Sequence, residues 1–223
     1  IDDYDPLREY SDLFALESLT LFTPHDAVRG ADTGIFQYYL GDEVDSVTAE
    51  IYDNTGNLVV SVTGDSVAKK PTEIHPWYRT RSTGPPTTAK GLNRWEWNLR
   101  YKGATMFDGI IIWSGRPQNG PKAPPGSYEV RITANGITKS AKFNVKMDPR
   151  LKGVSNADLQ EQFRLAQQIK DKTSAANEAV IQIRHIRTQI EDRLNKTNDR
   201  RIHRMAGDPV SYTHLTLPTS DLV

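Results

Sequence analysis

The sequence has no cysteine among its 223 residues. This absence excludes a disulfide framework, a thiolate metal site and a cysteine nucleophile, but it leaves the compartment open because many secreted bacterial proteins also lack cysteine. Net charge is absent too, since 28 Lys and Arg balance 28 Asp and Glu. We therefore expect no nucleic-acid partner. No apolar run approaches the roughly 20 residues of a membrane-spanning helix, so no membrane span is expected.

The common catalytic and metal-binding motifs are also missing. Among the histidines, His25, His75, His185 and His203 form no pair at helical spacing and no HExxH motif, and there is no Gly-x-Ser-x-Gly elbow or phosphate-binding glycine loop. The acidic opening of the chain fits no ordered Ca²⁺ loop, so we interpret it as a linker; its acidic residues are Asp2, Asp3, Asp5, Glu9 and Asp12. We expect no catalytic residue, no metal and no cofactor.

What the sequence does contain, between Leu19 and Val145, is a series of short strand-like runs bounded by Gly, Pro, Asn and Asp. Residues 47–52 alternate apolar and polar side chains, the period of a half-buried strand. Residues 53–56 and Asn135-Gly136 have hairpin-turn chemistry. The predicted strands are 19–22, 35–40, 47–52, 58–62, 94–99, 109–113, 128–133 and 139–145. This pattern predicts an antiparallel Ig-like β-sandwich over residues 15–148, with Trp95, Trp97, Tyr128 and Phe143 in its core.

A single long helix is predicted after a linker at residues 149–155. Ser155 or Asn156 supplies its N-cap, Asp158 favours the positive helix end, and neither Gly nor Pro interrupts residues 157–206, so we place the helix at 156–207. Its mostly apolar positions are Leu159, Phe163, Ala166, Ile169, Thr173, Ala176, Val180, Ile183, Ile186, Ile190 and Leu194. Their mean spacing of about 3.5 is typical of a coiled coil or a helical hairpin. The fold class is therefore mainly β with α, the helix forming half of a hairpin.

This row of eleven positions is too long for one sandwich to cover. We expect Val180, Ile183, Ile186, Ile190 and Leu194 to form a helix interface. In the intact protein a second, antiparallel helix beyond Asp208 would cover it. Without that helix the chain would self-associate through this surface, or the helix would fray beyond about Ala176. Basic residues at the helix end could contact phosphate groups, but acidic residues interleave with them, which favours a solvated helix face.

The two ends of the chain differ from the rest. The first residue is Ile1 rather than an initiator Met, as in a fragment of a longer protein. Residues 210–219 (VSYTHLTLPT) resemble the translation of a transposon adapter used in preparing sequencing libraries. We therefore expect residues 208–223 to be a disordered artefact of that adapter, with no part in the fold.

Several short motifs follow one another along the chain, and their order and spacing carry a resemblance. They are DD (2–3) with PLR (6–8), LFTP (21–24) with DAVR (26–29), IYDNTG (51–56), GLNR (91–94) with WNLRY (97–101), GIIIW (109–113), APPGSY (123–128), and DLQ (158–160) with NEAV (177–180). Together they resemble the C-terminal region of bacterial exported β-propeller proteins with BNR-type, sialidase-like or sortilin-like repeats, often labelled glycosyl hydrolases. The resemblance spans roughly residues 1–205.

The resemblance implies a role as well as a fold. Residues 1–14 would be the exit from a propeller blade, followed by an Ig-like module similar to that of flagellar hook-capping proteins. In such proteins this module is not the catalytic part, so the glycosyl hydrolase label transfers to no residue of this chain. The implied localisation is exported: periplasmic, cell-surface or secreted.

Three aromatic residues lie where they could contact a partner. Trp77 and Tyr78 fall in a proline-rich loop at about 65–90, and Trp113 ends a predicted strand. They could dock on the propeller or stack on a glycan. Three hypotheses follow: a non-catalytic accessory module that docks on its own propeller, a module whose loops help wall the propeller's glycoside cleft, and a free-standing carbohydrate-binding module.

Overall fold

The computed structural model describes residues 17–30, 33–66, 84–112, 114–197 and 201. Within these residues, ten strands precede one long helix. The strands are β1 (Leu19–Leu21), β2 (Ala27–Val28), β3 (Gly34–Leu40), β4 (Ser46–Asp53), β5 (Leu58–Asp65), β6 (Gly91–Trp97), β7 (Arg100–Lys102), β8 (Asn119–Lys122), β9 (Gly126–Ala134) and β10 (Ile137–Lys146), and the helix is α1 (Asn156–Leu194). The mainly β fold with one long helix, predicted from the pattern of short strands, is confirmed.

The strands form two main sheets and one small ribbon. The five-stranded sheet has the order β2-β10-β9-β4-β5, the three-stranded sheet has the order β1-β3-β6, and β7 pairs with β8. Pairing is antiparallel except between β10 and β2. Aromatic side chains from the two main sheets meet between them, Phe36 of β3 against Phe143 of β10. The molecule is therefore a β-sandwich.

The core follows from the alternation of side chains along each strand. In β4, Val47, Ala49 and Ile51 are fully buried, as the sequence pattern predicts. The four aromatic residues expected in the core are all buried; they are Trp95, Trp97, Tyr128 and Phe143. Each buried indole N–H has an acceptor, since Trp95 Nε1 donates to the Gly84 carbonyl and Trp97 Nε1 to the Arg100 carbonyl, both at 2.8 Å. These two core indoles are therefore buried without an unpaired N–H group.

The two predicted hairpin turns are present. Asn135 and Gly136 have φ of 49° and 75°, the left-handed conformation of a two-residue turn between β9 and β10. Between β4 and β5 the Asp53 carboxylate accepts the backbone N–H groups of Thr55 and Asn57, both at 2.9 Å. This Asx-type turn fixes the register of the β4–β5 pair.

The predicted strand at residues 109–113 was wrong in its described part. Residues 109–112 form no strand, and Ile111 is 74% exposed. A short apolar run such as Ile110 to Ile112 does not by itself distinguish a strand from a loop. The predicted strand 94–99 also ends earlier, at Trp97, because Leu99 adopts a φ of 56° that breaks the extended backbone. After this break the chain forms β7.

Helix α1 begins at the predicted residue with a reciprocal cap. Ser155 Oγ accepts the Asp158 N–H at 3.2 Å, and the Asp158 carboxylate accepts the Ser155 N–H at 2.8 Å. The helix ends at Leu194 rather than continuing without a break to 207. Its last turn tightens, since Lys196 N–H donates to the Arg193 carbonyl three residues earlier. Asn195 and Thr197 there have low helix propensity.

The chain divides into two compact units. The first comprises Ile1–Ala104 and Ile111–Lys172, and contains the sandwich and the first part of α1. Within it, Phe163 of α1 packs on Tyr101 with ring centroids 4.6 Å apart, and Leu159 is buried. The second unit comprises Thr105–Ile110 and Thr173–Val223. The expected propeller-exit segment 1–14 and adapter segment 208–223 lie outside the described residues.

Candidate docking surface

The predicted aromatic contacts lie in parts of the chain that the structure does not describe. Trp77, Tyr78 and Trp113 are outside the described residues, as is the middle of the loop that carries the first two. The acidic opening, His75 and His203 are outside them as well. The predicted helix interface is therefore the candidate site that the structure describes.

Five apolar side chains follow one another along the second part of α1, and we call them the apolar stripe: Val180, Ile183, Ile186, Ile190 and Leu194. Ile183 and Ile186 are 52% and 55% exposed, while the other three are half-buried. On a helix of ~3.6 residues per turn the five lie within one third of the circumference. Ala176 and Ala179 continue the same face toward the N-terminus of the helix, and their small side chains permit close approach of another helix.

The segment Thr105–Ile110 packs on the same stretch of helix. The Thr105 N–H donates to Ser174 Oγ at 3.1 Å, and Thr105 Oγ1 donates to Glu178 Oε1 at 2.9 Å. In return Asn177, only 9% exposed, donates from Nδ2 to the Thr105 carbonyl at 2.6 Å. These reciprocal hydrogen bonds fix the segment on the helix, and we call this contact the polar clamp.

About two turns further along, Arg184 completes the polar clamp. Its guanidinium lies over the Phe107 ring, 4.6 Å from the ring centroid, and Nη1 donates to the Asp108 carbonyl at 2.8 Å. A cation over an aromatic face contributes about 0.5–1 kcal/mol at an exposed site. Around the helix axis, the clamp residues of α1 are centred roughly 150° from the centre of the apolar stripe. The clamp therefore leaves the stripe uncovered.

Charged residues beside the stripe pair within the helix. Arg187 donates to Glu191 at 2.8 Å and Lys196 to Asp192 at 2.7 Å, both at i, i+4 spacing. Such exposed pairs contribute only about 0.3–0.5 kcal/mol each, but they reduce the uncompensated positive charge of this face. This arrangement favours a solvated helix flank over a phosphate-binding surface, in agreement with the interleaved charges of the sequence.

The eleven mostly apolar positions predicted along the helix do not all lie on one side of the straight helix α1. A 3.5-residue repeat drifts by about 20° per heptad on a straight α-helix, or about 100° over 35 residues. Leu159 is accordingly buried and Phe163 contacts Tyr101, whereas Ile183 and Ile186 are exposed. Sequence spacing identified the members of the stripe but did not anticipate the polar clamp. The one signal that could have done so is the polar Asn177 beside the apolar positions.

Two classes of site find no support in the described residues. No group of three or more His, Asp or Glu side chains converges there as a metal site would require. Within the same residues, no helix combines the length and the apolar character needed to cross a membrane.

Comparisons with known proteins give little. No family model matches the chain, and no curated protein matches it. Among solved structures, the M1 domain from titin is similar, with 8% sequence identity and a TM-score of 0.29; the match covers 62% of this chain and 99% of that domain. A similarity at this level carries no argument about function.

Proposed function

We propose that this chain is a non-catalytic C-terminal accessory module of a larger bacterial exported β-propeller protein, and that it acts by docking through its long helix. The short motifs between residues 2 and 180, taken in their order along the chain, resemble the C-terminal region of such propeller proteins and support this context. The docking role is supported by one observation, the exposure of Ile183 and Ile186 on a helix whose other side carries the polar clamp.

The surface fits one kind of partner, a second helix with an apolar stripe of its own. The stripe residues are spaced by threes and fours, which suits side-chain interdigitation between helices. Covering a fully exposed Ile or Leu side chain contributes about 1.5–3 kcal/mol, so two to five such residues can hold a helix pair together. In the intact protein this partner is an antiparallel helix of the same polypeptide. In the isolated chain a second copy takes its place.

Sedimentation velocity over a range of concentrations tests this surface. The chain should form a dimer that dissociates on dilution, and the double variant Ile183→Asp, Ile186→Asp should be monomeric because each carboxylate would be buried in the pair. The control is Gln182→Asp, Gln189→Asp, which adds the same charge to exposed positions of the same helix outside the stripe. This control should dimerise like the unmodified chain.

A strictly monomeric chain in which the amides of residues 180–194 resist hydrogen exchange would contradict the docking role, because the helix would then be stable without a partner. Equal dimerisation of the two double variants would also contradict it. In that case the dimer would form through another surface.

The non-catalytic part of the proposal has its own test. The purified chain should not hydrolyse aryl glycosides. Turnover that a single Asp or Glu substitution abolishes would identify a general acid or base and would overturn it.

A further inference from the structure

A buried arginine lies at the edge of the sandwich, directly after β2. Arg29 is only 8% exposed. Its Nε donates to the Ala123 carbonyl at 3.0 Å and its Nη2 to Gln162 Oε1 at 2.8 Å. Both acceptors are neutral, so these bonds engage two of the guanidinium N–H groups without compensating the charge. A buried charge without an opposite charge is expensive, and proteins usually pair it.

Two further cations lie beside it on the β7–β8 ribbon. Arg100 and Lys122 are directly opposite each other in the antiparallel pair, an arrangement that is destabilising for like charges. Arg100 Nη1 donates to the Gly120 carbonyl at 2.9 Å. The Lys122 ammonium forms no hydrogen bond and no salt bridge among the described residues, and the charge of Asp148 acts on it from a greater distance. Its three ammonium donors are therefore available.

The carboxylate in this region is already occupied. Asp148 receives Arg150 Nη2 at 2.7 Å and Nε at 2.9 Å, together with the Arg150 backbone N–H at 3.0 Å. These contacts lower the pKa of Asp148 to about 2. Arg150 is its salt-bridge partner, and the charge of Lys122 also acts on it. Four cations (Arg29, Arg100, Lys122 and Arg150) therefore lie near one carboxylate, which leaves three positive charges uncompensated.

Gly30 lies beside both Lys122 and Asp148. A Cβ at Gly30 would lie 3.7 Å from Lys122 Nζ and 3.9 Å from Asp148 Oδ2, and Gly30 has a φ of 104° that other residues rarely adopt. Burial, then the charge of Arg100 and then that of Arg29, lowers the pKa of Lys122, and the charge of Asp148 opposes this shift. Burial and the charge of Arg100 also lower the pKa of Arg29. The cluster is therefore strained by its own repulsion.

We propose that Arg29, Arg100 and Lys122 form a binding site for a compact divalent oxyanion, phosphate or sulfate. Lys122 and Arg100 donate hydrogen bonds to its oxygens, and the buried charge of Arg29 attracts it. A dianion compensates more of the three positive charges than a carboxylate does, so acetate binds more weakly. The site is on the sandwich and is independent of the docking surface of α1.

The experiment is a thermal-unfolding titration of the complete chain with inorganic phosphate, inorganic sulfate and acetate, each against sodium chloride at equal ionic strength. At a phosphate concentration about ten times Kd, Tm should rise by about 3–5 °C. Lys122→Gln, at a partly exposed position without hydrogen bonds, should lose this rise. Lys102→Gln removes an equal charge from an exposed position of β7 and should keep it.

An equal rise in Tm for the unmodified chain, Lys122→Gln and Lys102→Gln would show general exclusion of phosphate from protein surfaces. That result would overturn the site. A rise that does not saturate, or that acetate reproduces at the same concentration, would overturn it as well. In chloride alone, Lys122→Gln should unfold at the same temperature as the unmodified chain or higher, because it removes a like-charge pair. A lower Tm there would mean that Lys122 is already paired.

Discussion

The Phe36 ring meets the Phe143 ring edge-on, with centroids 5.0 Å apart and planes inclined by 71°. Phe36 belongs to the three-stranded sheet and Phe143 to the five-stranded sheet, so this contact joins the two layers of the sandwich. Phe143 also contacts the Trp97 and Tyr128 rings, at 6.1 Å and 5.9 Å. One side chain thus connects three aromatic neighbours across the core.

Replacing Phe143 should therefore be strongly destabilising. Phe143→Ala should lower the free energy of unfolding by about 3–5 kcal/mol, because it removes a buried ring and leaves a cavity among rigid aromatic neighbours. Phe143→Leu keeps most of the volume and should lose less. Urea denaturation followed by tryptophan fluorescence measures both. A loss below about 1 kcal/mol for the alanine variant would show that the core collapses around the site.

Much of the sandwich could be predicted from local pattern, because alternation and turn chemistry act over a few residues. Val47, Ala49 and Ile51 are buried as expected, and Asn135-Gly136 makes the predicted turn. The ribbon of β7 and β8 could not be predicted, since its strands join Arg100 to Lys122 and have no apolar period. Long-range pairing of this kind leaves no local signal.

The candidate sites also differ in whether the sequence pattern could predict them. Helical spacing identified the apolar stripe, because spacing alone decides which residues share a face. The polar clamp joins Thr105 to Asn177, 72 positions apart, and the cationic cluster collects Arg29, Arg100 and Lys122 from three different strands or strand ends. Such contacts depend on tertiary packing, which the sequence pattern does not show.

Gly64 should be intolerant of any side chain. A Cβ there would lie 1.8 Å from the Pro86 carbonyl oxygen, and that atom belongs to backbone that cannot rotate away. Gly64→Ala should lower the free energy of unfolding by about 1–3 kcal/mol. Gly126→Ala is the matched control, since Gly126 is also a strand residue but a Cβ added to it would have no atom within 4 Å. Similar losses for both variants would argue against the close approach of residue 86 to β5.

Alkaline pH should destabilise the fold through Tyr101. Burial, followed by the nearby charge of Asp53, raises the pKa of Tyr101 from 10.0 to about 12. The folded protein therefore favours the neutral phenol, and this contribution to stability is complete below pH 10 and is lost as the pH rises to about 12. Tyr101→Phe should flatten the fall in stability over this window. An unchanged alkaline slope in denaturation curves would contradict the burial of this hydroxyl.

The polar clamp gives a local prediction on the helix. Asn177→Ala removes the donor to the Thr105 carbonyl and should free the segment Thr105–Ile110. A hydrogen bond of this kind contributes about 0.5–1.5 kcal/mol, so local opening should become roughly 2–12 times more frequent. The Thr105 amide reports this directly, because its N–H donates to Ser174 Oγ and should exchange faster by that factor. Gln182→Ala removes a comparable amide side chain from an exposed position of the same helix and should leave the Thr105 exchange rate unchanged. If both variants accelerate it equally, the effect comes from helix propensity, and Asn177 does not hold the segment.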